Sequence, residues 1–218
     1  MSHGTLDITL VDNYLRSKRR ENMPGLGILH FFIAAYIRIL SQKPALNRFV
    51  SGQKIYARYD IVINLTVKKE LTVSGRETTV KIHFDPDATL YEVYEKVQSA
   101  VAEAKCKGDS NDTDRAARFL RFVPGPLLKF TIRILDIMDY FGLMPRSLLE
   151  LSPFHGSIFI SDLGSVGLPP VHHHLYDFGN IPLFLCIGSK SPRLFSRSDN
   201  KSSRSINYTL TMNERICD

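Results

Sequence analysis

The apolar positions of the N-terminal part change their period twice. They alternate from Leu6 to Val11, which predicts a strand, and a polar, basic helix is predicted from Val11 to Asn22. From Ile28 to Gln42 apolar residues recur at helical spacing, and Lys43 and Pro44 end the pattern. We therefore expect a mostly buried helix over this stretch.

Three strands are predicted next: Arg48 to Tyr56 with a turn at its centre, Ile61 to Val67, and Thr78 to Phe84. The last two are separated by the turn signal Ser74-Gly75. This order suggests an antiparallel meander. From Thr89 to Lys105 an apolar face follows, which predicts a helix that begins with a capping box.

A loop is predicted over 107–114, and the stretches Arg115–Val123 and Pro126–Phe141 predict a pair of amphipathic helices. They have two interpretations: a helical hairpin packed on the core or at a subunit contact, or a helix lying in a membrane interface. We favour packing, because Asp136 and Asp139 would repel an anionic surface.

The last third of the chain predicts three strands, Ser157–Ser161, Ile181–Ile187 and Ser205–Asn213. Helices and antiparallel-type strands are mixed without a strict βαβ rhythm, which is typical of the α+β class. The length of 218 residues suits one domain, and we expect residues 1–218 to form it.

Composition and residue spacing argue against nucleic-acid binding, metal binding and a membrane span. The net charge of +6 is concentrated in local basic runs without a nucleic-acid-binding motif, so we expect no nucleic-acid partner. The three cysteines show neither disulfide-type nor zinc-type spacing, so no metal is expected. The apolar stretch from Ile28 to Leu40 is shorter than the about 20 residues of a membrane span. With no signal peptide predicted, we expect a cytoplasmic protein.

Three segments resemble one enzyme superfamily. Gly156–Pro170 (GSIFISDLGSVGLPP) resembles the GGTFTISNLG region of the 2-oxo acid dehydrogenase acyltransferases, and Asn180–Gly188 resembles the strand PPQACILAVG that follows it. Asn213–Asp218 (NERICD) resembles DHRVVD of their motif DHRVVDG. The N-terminal half is similar to the opening of chloramphenicol acetyltransferase. The resemblance therefore identifies the chain as a divergent bacterial member of this superfamily.

This resemblance implies a chloramphenicol acetyltransferase-like mixed sheet with flanking helices and a homotrimer whose active sites lie between subunits. Residues 108–154 form a helical insertion relative to the classical enzymes. The motif lacks its final glycine, so we expect that the C-terminal end of the domain is missing.

The resemblance also implies the site residues. The enzymes use a histidine as general base on a thioester-attacking thiol or hydroxyl, a strand serine as oxyanion donor and an aspartate and arginine that are structural. The matching residues are Glu214, Ser161, Asp218 and Arg215. Because an ordinary glutamate has a pKa of about 4.3, burial would have to raise it before it could serve as the base. Alternatively, Glu214 pairs with Arg215 or another cation.

The run His172-His173-His174 offers a second source of the base. Adjacent strand residues point to opposite faces, so convergence of all three on one metal is disfavoured. The loop is more simply a polar aromatic segment, some of it at an interface. Still, His173 or His174 could replace the missing histidine, with Tyr176 and Asp177 orienting it.

Two functions follow. One is an acyltransferase that moves an acyl group from a thioester such as acyl-coenzyme A to an unknown acceptor. The other is a catalytically inactive homologue that keeps the trimeric scaffold as a binding or regulatory module. The glutamate at position 214 favours the second, and retention of Ser161, Arg215 and Asp218 favours the first.

Overall fold

The computed structural model of the protein describes residues 1–68, 77–106, 124–191, 194–196 and 201–216. Within these ranges the α-helices are α1 (Thr9–Glu21), α2 (Ile28–Gln42), α3 (Leu90–Cys106), α4 (Gly125–Tyr140) and α5 (Arg146–Leu151). The strands are β1 (Ser2–Asp7), β2 (Arg48–Ser51), β3 (Lys54–Ala57), β4 (Ile61–Lys68), β5 (Glu77–Phe84), β6 (Ile158–Asp162), β7 (Leu183–Lys190), β8 (Leu194–Ser196), β9 (Lys201–Ser203) and β10 (Ser205–Met212).

The main sheet has six strands in the order β1-β10-β7-β6-β4-β5. β6 lies parallel to both β4 and β7, and the remaining neighbours in the sheet are antiparallel. The hairpins β2–β3 and β8–β9 form two small separate sheets. The α+β class and the mixed sheet with flanking helices are thereby confirmed.

The two faces of the sheet are covered differently. Ile160, Leu185 and Ile187 point to one face and join the large core that it forms with α1, α2 and α3. Their neighbours Phe159 and Cys186 point to the other face, as strand alternation requires, and belong to a small second cluster. This second face leaves room for polar side chains.

The N-terminal strand prediction was misplaced. β1 spans Ser2–Asp7 and the helix α1 begins at Thr9, although the apolar alternation continues to Val11. The cause is local, because one carboxylate oxygen of Asp7 accepts hydrogen bonds from the Thr9 backbone N–H at 2.8 Å and its hydroxyl at 2.6 Å. Such an interaction ends the strand and favours a helix start.

The predicted antiparallel meander is confirmed in part. β2 and β3 form an antiparallel hairpin, and β4 pairs antiparallel with β5. The prediction was wrong in joining these two pairs, because β2–β3 is a separate sheet and the other neighbour of β4 is the distant, parallel β6. The helix α2 has the predicted bounds, and the capping box of α3 is present: the Thr89 N–H donates to Glu92 at 2.7 Å, and the Glu92 N–H donates to the Thr89 hydroxyl at 3.3 Å.

The predicted turn Ser74-Gly75, the loop 107–114 and the helix Arg115–Val123 lie outside the described residues. The helix predicted from Pro126 to Phe141 is present as α4, with Pro126 in its first turn. No residue of α4 is fully buried, and Phe130 remains 63% exposed.

Candidate functional site

The segment after β10 forms a short 3-10 turn, Glu214–Ile216, that presents two charged side chains. Ile216 is buried and the Asn213 N–H donates to the carbonyl of Pro182, so the turn is anchored at both ends. The guanidinium of Arg215 donates to Asn213 Oδ1 at 3.1 Å rather than to Glu214. Glu214 itself is exposed and has no hydrogen-bond partner among the described residues.

Glu214 lies in the wall of a cavity of about 540 Å³. The loop between β6 and β7 supplies the opposite wall, including Tyr176, Asp177 and Asn180. Gly179 positions this loop: it has a φ of +88°, and a Cβ there would lie 2.2 Å from the carbonyl oxygen of Phe154. Only glycine fits such a backbone approach at positive φ.

A second cavity of about 380 Å³ adjoins the first. Arg215, Asp177 and Gly179 line both cavities. Its other wall is formed by α4, whose C-terminal end is tied to the β2–β3 hairpin by a 2.8 Å hydrogen bond from the Ser51 hydroxyl to the carbonyl of Asp139. The helix α4 therefore contributes directly to the surroundings of the C-terminal turn.

Ser161 lies elsewhere on the sheet. It is half-buried near the end of β6, opposite Cys186 on β7, which is in turn opposite Thr209 on β10. The last residue of β10, Met212, lies three residues beyond Thr209. With about 3.3 Å per residue and 4.8 Å between strands, Ser161 is roughly 14 Å from Met212, and Glu214 is farther along. One chain does not bring Ser161 and Glu214 together.

Asp162, next to Ser161, closes the end of β6. Its carboxylate accepts a hydrogen bond from the Ser165 N–H at 3.2 Å. Burial raises the pKa of this carboxyl, and hydrogen bonds from the backbone N–H groups of Ser165 and Gly164 oppose the rise. The residue therefore shapes the turn that follows Ser161.

The histidine loop is packed against the sheet. The ring of His173 stacks on Phe184, with 4.1 Å between ring centroids, and its Nδ1 is 2.6 Å from the carbonyl oxygen of His174. The carbonyl of His173 accepts a hydrogen bond from Thr211 at 2.7 Å. Tyr176 is in ring contact with His173, at 5.4 Å, and reaches the Glu214 cavity, but neither His173 nor His174 lines it.

A buried histidine that the sequence did not single out lies nearby. His155 is 3% exposed, with Nδ1 at 2.7 Å from the hydroxyl of Ser152 and Nε2 at 3.0 Å from a carboxylate oxygen of Asp139. These contacts connect α4 to the start of β6. The available signal was its position directly before Gly156, at the start of the segment that carries the resemblance.

His155 and Asp139 also line a third cavity, of about 480 Å³. This cavity shares Asn180 with the Glu214 cavity and contains the cations Arg58 and Lys81. The three cavities thus adjoin along one side of the molecule, from the C-terminal turn to the edge strand β5.

Of the residues predicted from the resemblance, Glu214 and Arg215 lie together, Ser161, His173 and His174 lie apart from them, and Asp218 is outside the described residues. Among the described residues no group of histidine, cysteine and carboxylate side chains has a geometry that could hold a metal ion. Within the same part of the chain, no helix combines the length and apolarity that crossing a membrane requires.

No protein-family model matches the sequence, and no curated protein matches it significantly. Solved structures do match. A probable dihydrolipoamide acetyltransferase from Listeria monocytogenes has a TM-score of 0.63 at 15% identity and covers 100% of this chain and 76% of its own. The dihydrolipoamide acetyltransferase of Azotobacter vinelandii, investigated for the catalytic roles of a serine, a histidine and an asparagine, has a TM-score of 0.62 at 12% identity over 100% of this chain and 73% of its own.

A chloramphenicol acetyltransferase matches with a TM-score of 0.50 at 9% identity, over 99% of this chain and 79% of its own. At these identities the matches establish architecture. The predicted resemblance is confirmed at that level: the chain has the fold shared by the dihydrolipoamide and chloramphenicol acetyltransferases.

Proposed function

We propose that the protein is an acyltransferase that moves an acyl group from a thioester such as acyl-coenzyme A to a small acceptor. The observation that carries this proposal is the position of Glu214. It stands where the resembled motif has histidine, on an anchored turn, in the wall of a cavity large enough for a small molecule.

In this proposal the Glu214 carboxylate is the general base. It takes the proton from the acceptor thiol or hydroxyl while the acceptor oxygen or sulfur attacks the thioester carbonyl. The tetrahedral intermediate then collapses with cleavage of its bond to the coenzyme A sulfur, and the departing thiolate takes the proton back from Glu214, which regenerates the carboxylate. A carboxylate is effective in this role only when it is desolvated, and in the single chain Glu214 is exposed.

Ser161 is the proposed donor to the oxyanion of that intermediate. Its place near the end of β6, on the sheet face with polar side chains, supports this role. Since it lies far from Glu214 within one chain, the site needs Ser161 of one subunit and Glu214 of the next. A homotrimer supplies that arrangement and also covers Glu214.

Arg215 and Asp218 are proposed as structural members of the turn. The hydrogen bond from Arg215 to Asn213 supports this role for the arginine. His173 is stacked on Phe184, which supports a packing role over a catalytic one.

The alternative function is that of a catalytically inactive homologue that keeps the trimeric scaffold for binding or regulation. The exposure of Glu214, and its lack of a hydrogen-bond partner among the described residues, favour this alternative, because a solvated carboxylate is a poor base for a thiol. In that case the cavities serve binding alone.

A thermal-shift screen against coenzyme A, acetyl-coenzyme A and longer acyl-coenzyme A thioesters tests the proposal, combined with a thiol-release assay. Binding to the folded protein raises the midpoint of unfolding. We expect a shift with coenzyme A and thiol release that depends on an added acceptor. A raised midpoint of unfolding without thiol release supports the inactive scaffold. An unchanged midpoint with every thioester contradicts both the acyl-coenzyme A donor and the acyltransferase activity.

A further inference from the structure

The cavity of about 480 Å³ beside β4 and β5 is lined by an unusual set of charged groups. Its size is within the range of about 300 to 1,000 Å³ that is typical of small-molecule sites. The set comprises three cations, three carboxylates and two histidines: Arg58, Lys81, Arg146, Asp60, Asp139, Glu150, His83 and His155.

Each of the three carboxylates has a histidine partner. His83 lies between two of them, at 3.0 Å from Glu150 and 3.3 Å from Asp60. His155 is 3.0 Å from Asp139. All three carboxylates of the cavity therefore already have a partner among its histidines.

The cations are not paired in this way. Among the described residues, no carboxylate oxygen lies within 4.0 Å of the charged nitrogens of Arg58, Lys81 or Arg146. Arg58 instead donates to Asn180 Oδ1 at 2.8 Å and lies over the ring of Phe49. Lys81 donates to the carbonyl of Leu149.

Arg58 and Lys81 also act on each other. Burial lowers the pKa of Lys81 to about 8; the charge of Glu150 opposes this fall, the charge of Arg58 adds to it, and Asp60 opposes it more weakly. Burial likewise lowers the pKa of Arg58, and Asp60 opposes that fall. Two like charges in a partly buried cavity cost free energy, which an anion placed between them would recover.

We propose that this cavity binds the carboxylate of a small organic acid between Arg58 and Lys81. The planar guanidinium offers a carboxylate two parallel hydrogen bonds, and the ammonium adds a point charge. Arg146, which is exposed, also lines the cavity and adds a positive charge that attracts the incoming anion. The remaining lining, including Phe49, Met144 and Leu149, receives the hydrocarbon part of the ligand.

Binding at this cavity does not depend on acyl transfer. The same acid could be the acyl acceptor, and this further step rests on the proposed function. It is supported by Asn180, which lines this cavity as well as that of Glu214. An acid held at Arg58 would extend from there toward the C-terminal turn.

Titration calorimetry of the full chain with succinate, glutarate and inorganic phosphate tests the inference. We expect the dicarboxylates to bind and Lys81→Met and Arg58→Lys each to weaken binding at least tenfold. Lys43→Met, which removes an exposed lysine at the end of α2, is the matched control and should bind as the wild type does. Thermal melts of each variant verify folding.

The pH dependence gives an independent readout. An anion binds best when Lys81 is protonated, so affinity is retained below pH 8 and falls up to about tenfold per pH unit above it. In Lys81→Met the affinity should stay level between pH 7 and 9.5. Equal binding by wild type and Lys81→Met, or phosphate bound as tightly as succinate, would overturn the inference.

The two proposals can fail separately. A shift with coenzyme A but no binding of dicarboxylates leaves the acyltransferase standing and removes the acid site. Dicarboxylate binding that depends on Lys81, without any response to thioesters, keeps the acid site and removes its identification as the acceptor site.

Discussion

Ser161 lies on β6 and Glu214 lies on the 3-10 turn that follows β10, at positions that one chain cannot bring to one substrate. Ser161 is level with Thr209 of β10, whereas Glu214 follows the end of that strand at Met212. A separation of more than about 14 Å exceeds the reach of one reacting group and one bridging water. Joint action of the two side chains therefore requires a second copy of the chain.

The first prediction concerns assembly. We expect the protein to form a trimer, with a mass three times the 24.8 kDa of the chain in light scattering at micromolar concentration. In a structure of that trimer, Ser161 of one subunit should lie within about 10 Å of Glu214 of the next, close enough for one substrate. A stable monomer, or a trimer that separates these residues, would contradict the shared site and leave the fold unchanged.

The second prediction concerns Ser161. If its hydroxyl donates to the oxyanion, Ser161→Ala should lower kcat by about 10²- to 10³-fold with little change in coenzyme A affinity. Ser165→Ala is a nearby control that loses only a local hydrogen bond to the carbonyl of Asp162 and should retain turnover. Equal rates for Ser161→Ala and the wild type would exclude an oxyanion role.

The third prediction concerns the buried carboxylate of Asp12, which is 2% exposed and lies 2.8 Å from Lys190, 2.9 Å from Arg16 and 3.2 Å from Arg204. Burial raises the pKa of this carboxyl, but Lys190 and the two arginines lower it further than burial raises it. Since the folded pKa is below the unfolded value, the carboxylate stabilises the fold above about pH 4 and loses this effect as pH falls through the folded pKa.

Asp12→Asn should therefore cost about 2 to 4 kcal/mol at pH 7, because three cations lose their common partner. The cost should shrink at pH 3. Urea unfolding at the two pH values measures both quantities, and Ser17→Ala on the exposed side of α1 is the control. A cost independent of pH would show that the amide disturbs packing rather than charge.

The fourth prediction concerns the histidine loop. His173→Ala removes a ring stacked on Phe184 and should lower stability by about 1 kcal/mol without changing the turnover rate. His174→Ala, at an exposed position, should change neither quantity. Loss of turnover in either variant, with thermal melts showing a folded protein, would make the loop the source of the base.

The elements in which apolar residues recur at a regular spacing could be predicted from the sequence. α2 and α3 were predicted closely because their apolar faces end at clear stop signals or begin at a capping box. The pairing of β4 with β6 was not predictable, because these parallel neighbours are separated by a long connection and their apolar residues are compatible with many partners.

The candidate site was predictable only through resemblance. Glu214 and Ser161 carry no local chemical signal, and Lys81 and Arg58 look like ordinary polar residues of an alternating strand and a loop. Their significance arises from tertiary placement, since α5 and the loop around Asn180 convert an exposed strand face into a cavity. Burial of this kind is invisible in the spacing of residues.

The last prediction tests the base. If Glu214 accepts the proton, acceptor-dependent thiol release from an acyl-coenzyme A requires its carboxylate, since only the carboxylate can act as the base. Glu214→Gln keeps the shape but cannot accept a proton, so it should abolish this thiol release with little loss of coenzyme A binding. Glu214→His restores the base of the resembled motif and should increase the rate if an imidazole fits in the cavity. Equal turnover by wild type and Glu214→Gln would remove Glu214 from the mechanism, because no other change in the variant could compensate for a lost base.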